Sequence, residues 1–487
     1  MKAYHRLEDI FKKSSNIRGA QSMLYWDSAV NMPLHSAEAR GEVQATLKQL
    51  EYETIANDQV GDLLSEAEGY KMALSVWQQA NLREMRHNYS HMRSVPVDLT
   101  TKLTVAANDC EILWRKARKD SDFKLVLPKF KEFLSLTKEK ATCKAENLGI
   151  GKYDSLLDCY DQGSRTRDLD PIFKTLREFL TDFIKQVKAQ QKPKPALKLA
   201  LSLPYQKQLG KKLMDNMGFN FDKARLDEST HPFCSGTPDD IRITTRYLKE
   251  DFTIGIQGIL HETGHALYEQ NLPKKWRNQP VGSACGMTAH ESQSLFVEMQ
   301  LCRSAAFISY LVKTTNKTTL PASDLYSYIN YVEPTFIRVE SDEVTYPMHI
   351  IMRYELEKLL ISGELHAEDL PDAWNDSIHK LLGIRPKTDS DGCLQDIHWY
   401  GIDFGYFPCY TLGAMAAAQL MAALKKEVKD VDGLIGTGNF KPIIAWLTEK
   451  FHKHGSYYSR NDLLKNATGE HLNPSHFIAY LQNKYTG

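Results

Sequence analysis

Residues 258–271 read GILHETGHALYEQN, in which His261 and His265 stand four positions apart and an acid, Glu262, directly follows the first. Ile259, Leu260, Ala266, Leu267 and Tyr268 are good helix formers or apolar packers, so the stretch is expected to be helical. On a helix, positions i and i+4 share a face one turn apart. Both imidazoles would then aim at a common point, with the Glu262 carboxylate beside it. Two nitrogens so placed can grip a divalent metal while the neighbouring acid reaches a water at its open position. With 16 histidines in 487 residues, the pattern arises by chance in about 3 per cent of such chains, so it needs a third ligand. His87 and His91, in HNYSH, have the same spacing, but Asn88 replaces the acid; His452 and His454, in FHKH, are too close together for one helix face. Those four are expected at the surface or at helix caps.

A catalytic zinc usually takes three protein ligands and keeps a fourth position for water. Downstream, GMTAHESQSLFVEMQLCRSAAF (286–307) reads as a second helix, with Leu295, Met299 and Cys302 on one stripe. Glu291, near its start, would complete a His2Glu set if this helix packs antiparallel to the first. Spacing alone leaves Glu298, two turns further on, and Glu269, on the first helix, as alternatives, and equally permits Glu291 to be a solvated helix residue.

The elements that must position these groups are mostly helical. Stretches 36–55, 64–86, 127–149 and 169–190 repeat apolar residues at three- and four-residue intervals, and MKAYHRLEDIFKKSSN at the start reads as an amphipathic helix. KPKP at 192–195 is an extended break, expected to be a surface connector between helices. IRITTRY (241–247) is the main strand signal. Lys plus Arg and Asp plus Glu both number 61, so bulk charge argues against nucleic-acid or membrane binding. The hydrophobic fraction of 42% suits a large core, and no run of apolar residues resembles a signal peptide or a membrane span. Eight cysteines without C-x-x-C spacing suit free thiols in a reducing cytoplasm.

HPF (231–233), DIRITT (240–245), HETGH (261–265), HESQS (290–294) and GCLQDIHW (392–399) occur in this order. With the WD and MP of LYWDSAVNMP (24–33), YDSLLDCY (153–160), IRVESDEVTY (337–346), HIIMRYELE (349–357) and GYFPCYTLG (405–413), they resemble the M32 carboxypeptidases, the thermostable-carboxypeptidase family of metallopeptidases. The resemblance spans nearly the whole chain. It implies that His261, His265 and Glu291 are the metal ligands and that Glu262 is the catalytic acid/base. It also implies a mainly α, deep-clefted metallopeptidase fold similar to the neurolysin and angiotensin-converting-enzyme group, with a small β-sheet beside the active-site helix. Residues 1–487 would form a single catalytic domain, usually as a homodimer. The chain departs from the family pattern at Ser36-Ala37, where glycine is usual, at Cys409, which replaces a small polar residue, and at Leu295, where Arg often follows HESQS.

The expected reaction is removal of single residues from peptides with a free C-terminus, using one divalent metal per subunit: zinc first, with cobalt or manganese able to occupy the same ligands. An oxyanion formed during hydrolysis needs preorganised donors. His398 and Tyr410 are the candidates, because related clefted peptidases place a histidine and a tyrosine from a comparable segment over the metal; Tyr406 is a second tyrosine nearby. A terminal carboxylate suits the planar fork of arginine. Arg353 and Arg338 are borne on motifs and Arg242 is a weaker candidate, although each could equally be a structural ion-pair partner, with Glu340, Glu343 and Glu355 close in sequence. The strand 241–247 is expected to pair with substrate backbone along its edge, with His231 lining the same cleft. The rival readings are an oligopeptidase that cuts internal bonds and an inactive helical binding protein with a vestigial HETGH.

Overall fold

A computed structural model describes residues 1–197, 199–315, 321–402 and 404–486. The fold is mainly helical with one three-stranded sheet. Contacts divide the chain into two compact units, the first comprising Met1–Met92, Lys194–Ile329 and Gly413–Asn473, the second Arg93–Pro193, Asn330–Leu412 and Pro474–Gly487. The KPKP break lies where the chain passes from the second unit to the first, a boundary that its short length did not suggest. Among the described residues, no single helix is long and apolar enough to cross a membrane.

In the first unit, Tyr4, Leu7 and Phe11 recur along one face of the helix Lys2–Val30 and pack against Leu63, Leu64, Leu82 and Met85. The stretch 64–86, expected as one helix, is broken after Gly69 and resumes at Val76. Its restart is fixed by a reciprocal box. The Ser75 amide donates to Gln78 Oε1 at 2.9 Å, and the Gln78 amide donates to Ser75 Oγ at 3.4 Å. Apolar periodicity runs through both pieces and so conceals the break.

Strands β1 (Ala224–Glu228), β2 (Phe233–Thr237) and β3 (Asp240–Thr245) form a sheet in the order β1-β3-β2. Ile243 faces Leu226 of β1 across a parallel pairing and Cys234 of β2 across an antiparallel one. The DIRITT strand is therefore central. Both of its backbone edges are already paired, which removes the expected edge pairing with a substrate at β3.

The sheet packs beside the helix Phe252–Asn271, which carries HETGH. Asp251 caps this helix by accepting from the Thr253 amide at 2.9 Å, and Tyr328 donates to the other Asp251 oxygen at 2.8 Å. From Ile259 to Tyr268 the helix is buried almost throughout, so packing rather than propensity holds it. Gly264, between the two histidines, lets a second helix approach: a Cβ built there would stand 2.3 Å from the Gln293 carbonyl oxygen. The region 286–307 is likewise not one helix. An α-helix Gly286–Leu295 runs into a π-helical turn, Phe296–Cys302, and a new helix begins at Ala305. Such π turns are found mostly as local insertions, often at functional sites. Leu295, Met299 and Cys302 are all buried, as their stripe implied.

In the second unit, helices Val97–Asp120 and Phe123–Leu148 form a hairpin that turns at Ser121, a left-handed residue with φ 54°. Trp114 Nε1 donates to the Leu394 carbonyl at 2.9 Å and so ties the GCLQDIHW segment to the hairpin. Glu357, fully buried on the helix Tyr346–Ser362, accepts from Tyr153 Oη at 2.6 Å, Trp399 Nε1 at 2.7 Å and the Gly405 amide at 2.9 Å. One carboxylate thus joins four of the motif segments. All eight cysteines are free thiols.

Gly264→Ala is expected to cost about 1–3 kcal/mol through overpacking against the Gln293 carbonyl. Denaturant unfolding should record this as a lower midpoint with an unchanged slope; unchanged stability would show that the helices are free to part.

Candidate metal centre

The HETGH helix and the Gly286–Leu295 helix bring His261, His265 and Glu291 together, with their ligand atoms within 4.8 Å of one another. His261 Nε2 lies 3.7 Å from Glu291 Oε1, and His265 Nε2 lies 3.5 Å from Glu291 Oε2. Both separations are long for a direct hydrogen bond. They are close to the spacing of about 3.3 Å between two ligands set tetrahedrally about one cation at zinc-like bond lengths. Glu291 is 3% exposed. Its burial is possible because Gly413 has no side chain: a Cβ there would meet Glu291 Cβ and Cγ at 2.9 Å.

The other ring nitrogens are held from behind. His261 Nδ1 donates to Glu298 Oε2 at 2.8 Å, and Arg303 donates to the second Glu298 oxygen at 2.7 Å. His265 Nδ1 lies 3.1 Å from the His290 carbonyl oxygen and 2.6 Å from His290 Nδ1. His290 Nε2 in turn donates to Glu269 Oε1 at 3.0 Å. This network assigns the tautomers. Glu269 takes the His290 Nε2 proton, His290 Nδ1 and the His290 carbonyl take the His265 Nδ1 proton, and His265 Nε2 keeps its lone pair. Glu298 accepts from His261 Nδ1 in the same way, which turns His261 Nε2 toward Glu291. Glu298 and Glu269, left open as ligands on spacing, thus sit behind the imidazoles. A seven-residue offset from Glu291 put Glu298 on the right face, but nothing in the spacing indicated which nitrogen it would reach.

The electrostatics suit a cation. Burial disfavours a charge on His261, but the Glu298 hydrogen bond and the carboxylates of Glu291 and Glu262 outweigh it and raise its pKa to about 10, so that without a metal Nε2 holds a proton whose place a cation takes. Burial pushes Glu262 up to about 7 against the pull of His261, with Glu291 adding to the rise. Burial would also raise Glu298, yet Arg303 and His261 bring it down to about 2. Burial and the neighbouring His290 and His261 keep His265 well below its ordinary value, in the neutral form a metal requires. Two imidazole nitrogens, one buried carboxylate and a negative potential strong enough to hold a proton on His261 fit a divalent metal.

The profile of the carboxypeptidase Taq (M32) metallopeptidases matches residues 6–485. The chain belongs to the M32 metallopeptidase family. It is 36% identical to "Carboxypeptidase 1" of Bacillus subtilis over 487 residues, covering 98% of this chain and 97% of that protein. Among solved structures, "Trypanosoma Cruzi Metallocarboxypeptidase 1" is similar at a TM-score of 0.96 and 38% identity, covering 100% of both chains. The structure titled "Structure of Pyrococcus furiosus Carboxypeptidase Apo-Mg" is similar at a TM-score of 0.95 and 34% identity, covering 100% of this chain and 99% of that one. An M32 chain is a metal-dependent carboxypeptidase acting on peptides, and a divalent metal is implied here.

The other residues expected of an M32 site lie in both units. In the first, His231 is exposed, and the adjoining Pro232 packs 3.5 Å from the Cβ position of Gly258, one turn before His261. Arg242 is bound through Nε and Nη2 to Asp240 at 2.7 and 2.8 Å, and its guanidinium lies 4.5 Å over the Trp26 ring. In the second unit, Asp396 of the QDIHW segment is the hub. Arg338 donates to it through Nε at 3.0 Å and Nη2 at 2.9 Å, and Arg353 through Nε at 2.9 Å, with its Nη2 2.6 Å from the same carboxylate. Arg353 has no exposed surface; its Nη1 donates to the His349 carbonyl and its Nη2 also to Gln395 Oε1, both at 2.9 Å. The acid that pairs these arginines is thus distant in sequence, not one of the nearby glutamates. Burial would raise the Asp396 pKa, but Arg338 and Arg353 hold it well below the usual carboxylate range.

His398 begins a π turn, His398–Ile402, with Nδ1 3.8 Å from Asp396 and Nε2 3.5 Å from Tyr410 Oη. Burial, helped by Arg338 and Arg353 and opposed by Asp396, lowers its pKa to about 4, so at neutral pH it is an uncharged donor. Tyr406 stacks on it at 5.8 Å and meets Tyr410 edge-on at 5.1 Å. Of the four histidines expected at the surface or at helix caps, His91 and His452 are buried, whereas His87 and His454 are partly exposed. His452 Nε2 donates to Gln293 Oε1 at 2.9 Å, behind the Gly286–Leu295 helix.

Glu298→Gln is expected to weaken metal affinity by about 10–100-fold while the chain stays folded, measured by competition with a chelator. Asp396→Asn should lower stability by about 3–5 kcal/mol, because two buried guanidinium groups lose their counter-charge. The Asp396 charge stabilises the fold above its unfolded pKa, and that contribution is lost as pH falls through the folded value. The variant should therefore lose its deficit relative to the parent only in strong acid, a comparison that unfolding at several pH values makes directly.

Proposed function

We propose that the chain releases single amino acids from peptides with a free C-terminus, with His261, His265 and Glu291 holding one divalent cation per subunit. The supporting observation is the convergence of two Nε2 atoms and the Glu291 carboxylate, each histidine being fixed through Nδ1. Zinc is proposed first on donor type, with cobalt or manganese as competitors. When bound, such a cation lowers the pKa of water toward neutrality and polarises a carbonyl.

The protein's own part is to move protons, stabilise charge and orient the substrate. Glu262, buried beside His261, takes the proton of the attacking water and returns it to the leaving amine. His398 and Tyr410 are proposed as donors to the developing oxyanion, His398 as a neutral imidazole. Arg338 is proposed to bind the terminal carboxylate, with Tyr406 and His231 lining the substrate. Arg353 fits that task less well, because it is wholly enclosed; Arg242 is the alternative, bound through Nε and Nη2 to Asp240 as Arg338 is to Asp396. The family resemblance is also the ground for proposing one catalytic domain over residues 1–487 and a homodimer, and the eight cysteines without C-x-x-C spacing are the ground for proposing a cytoplasmic location.

Glu262→Gln should keep its metal, by elemental analysis, yet lose about 10²–10⁴-fold in kcat; full turnover in that variant would exclude the role. Mass spectrometry of an unblocked peptide should show a ladder shortened from the C-terminus. Amidating that terminus should slow the reaction sharply, whereas undiminished cleavage would instead indicate an oligopeptidase.

A further inference from the structure

Residues 330–345, which carry Arg338, contain no regular element beyond the short turn Arg338–Glu340. Side chains from elsewhere in the second unit must therefore hold this segment. Gln191 bonds both backbone groups of Val332, at 2.7 and 3.1 Å. Gln395 donates to the Phe336 carbonyl at 2.7 Å and accepts from the Arg338 amide at 2.8 Å. Asp342 closes the loop on itself by accepting from the amides of Glu333, Val344 and Thr345 at 2.9–3.0 Å and from Thr345 Oγ1 at 2.8 Å.

Glu343 has no such local use. It is fully buried, and its carboxylate is taken up by one helix, Pro474–Tyr485. Tyr480 Oη donates to it at 2.8 Å, Tyr485 Oη donates at 2.6 Å, and the Lys484 ammonium pairs with it. Lys484 also donates to Tyr480 Oη at 3.1 Å, which closes the cluster. A charge buried in this way is worth keeping only where its partners are complete, and loss of any one is costly. The cluster lies three residues before Tyr346, whose hydroxyl accepts from Arg338 Nη1 at 3.3 Å. The position of the Arg338 fork is thus set on one side by Asp396 and on the other by a segment fastened at Glu343.

We propose that Glu343, with Tyr480, Lys484 and Tyr485, is a positioning anchor for Arg338, so that the helix Pro474–Tyr485 governs selectivity for a free terminal carboxylate without touching substrate. This rests on the reading of Arg338 as the carboxylate ligand. Loosening the anchor lets the fork wander, which weakens substrate binding and spares the chemistry at the metal.

The test compares Tyr480→Phe/Tyr485→Phe, Glu343→Gln/Lys484→Met and Arg338→Gln on the full-length, metal-loaded chain, with one peptide as free acid and as amide. The Phe pair removes two hydrogen bonds at constant shape, and the Gln/Met pair removes both charges together, so no lone buried charge remains to unfold the chain. Each anchor variant should keep its metal, raise KM for the free acid about tenfold, leave kcat within about twofold, and lose acid-over-amide preference in proportion. Arg338→Gln should lose that preference more completely. If Arg338→Gln loses it while both anchor variants keep the parental KM and preference, the anchor is refuted and the Arg338 reading stands. If Arg338→Gln keeps the preference, the carboxylate reading fails and the anchor fails with it.

Discussion

The hydrogen bonds to His261 Nδ1 and His265 Nδ1 are the constraint on which the rest of the metal centre depends. An imidazole has two nitrogens, and only the one without a proton can bind a cation. Glu298 and the His290–Glu269 pair take up the hydrogens on the far sides of the two rings, so both Nε2 atoms face Glu291. Each ring is also fixed against rotation about its Cβ–Cγ bond. The ligand set is therefore preorganised, and binding need not order it.

That arrangement requires the HETGH helix and the helix Pro408–Glu427 each to approach the Gly286–Leu295 helix more closely than side chains normally permit. Gly264 and Gly413 supply the space, one against the Gln293 backbone and the other against Glu291 itself. The π turn Phe296–Cys302 follows directly and carries Glu298 and the start of its pairing with Arg303. The two histidines lean on different kinds of partner. His261 rests on a carboxylate neutralised by an arginine, whereas His265 rests on a second imidazole and a backbone carbonyl. Each ring thus has a carboxylate behind it, Glu298 directly and Glu269 through His290.

The second unit is organised around a different electrostatic problem, the burial of two guanidinium groups. Asp396 solves it by taking both, and Gln395 beside it serves Arg353 and the Arg338 segment. The same field from the arginines helps to keep His398 neutral. A carboxylate that serves two arginines and lies 3.8 Å from a histidine couples fold stability to the protonation state of that histidine. Glu357 and Glu343 do comparable work, each satisfying several donors from separated segments.

The sequence by itself determined the helical class, the HETGH face and the order of motifs, because these rest on local periodicity and on residue identities at fixed spacing. It narrowed the third ligand to Glu291, Glu298 or Glu269 on spacing, and to Glu291 only by resemblance. Tertiary structure alone decided how those three acids are distributed, since i+4 spacing orients a ring but does not show what meets its far side. It also decided that DIRITT is a central strand, that His91 and His452 are buried, and that Arg353 is enclosed by Asp396, a residue 43 positions away. Partners that distant leave no periodic trace in the chain, because their pairing is set by packing rather than by neighbouring residues.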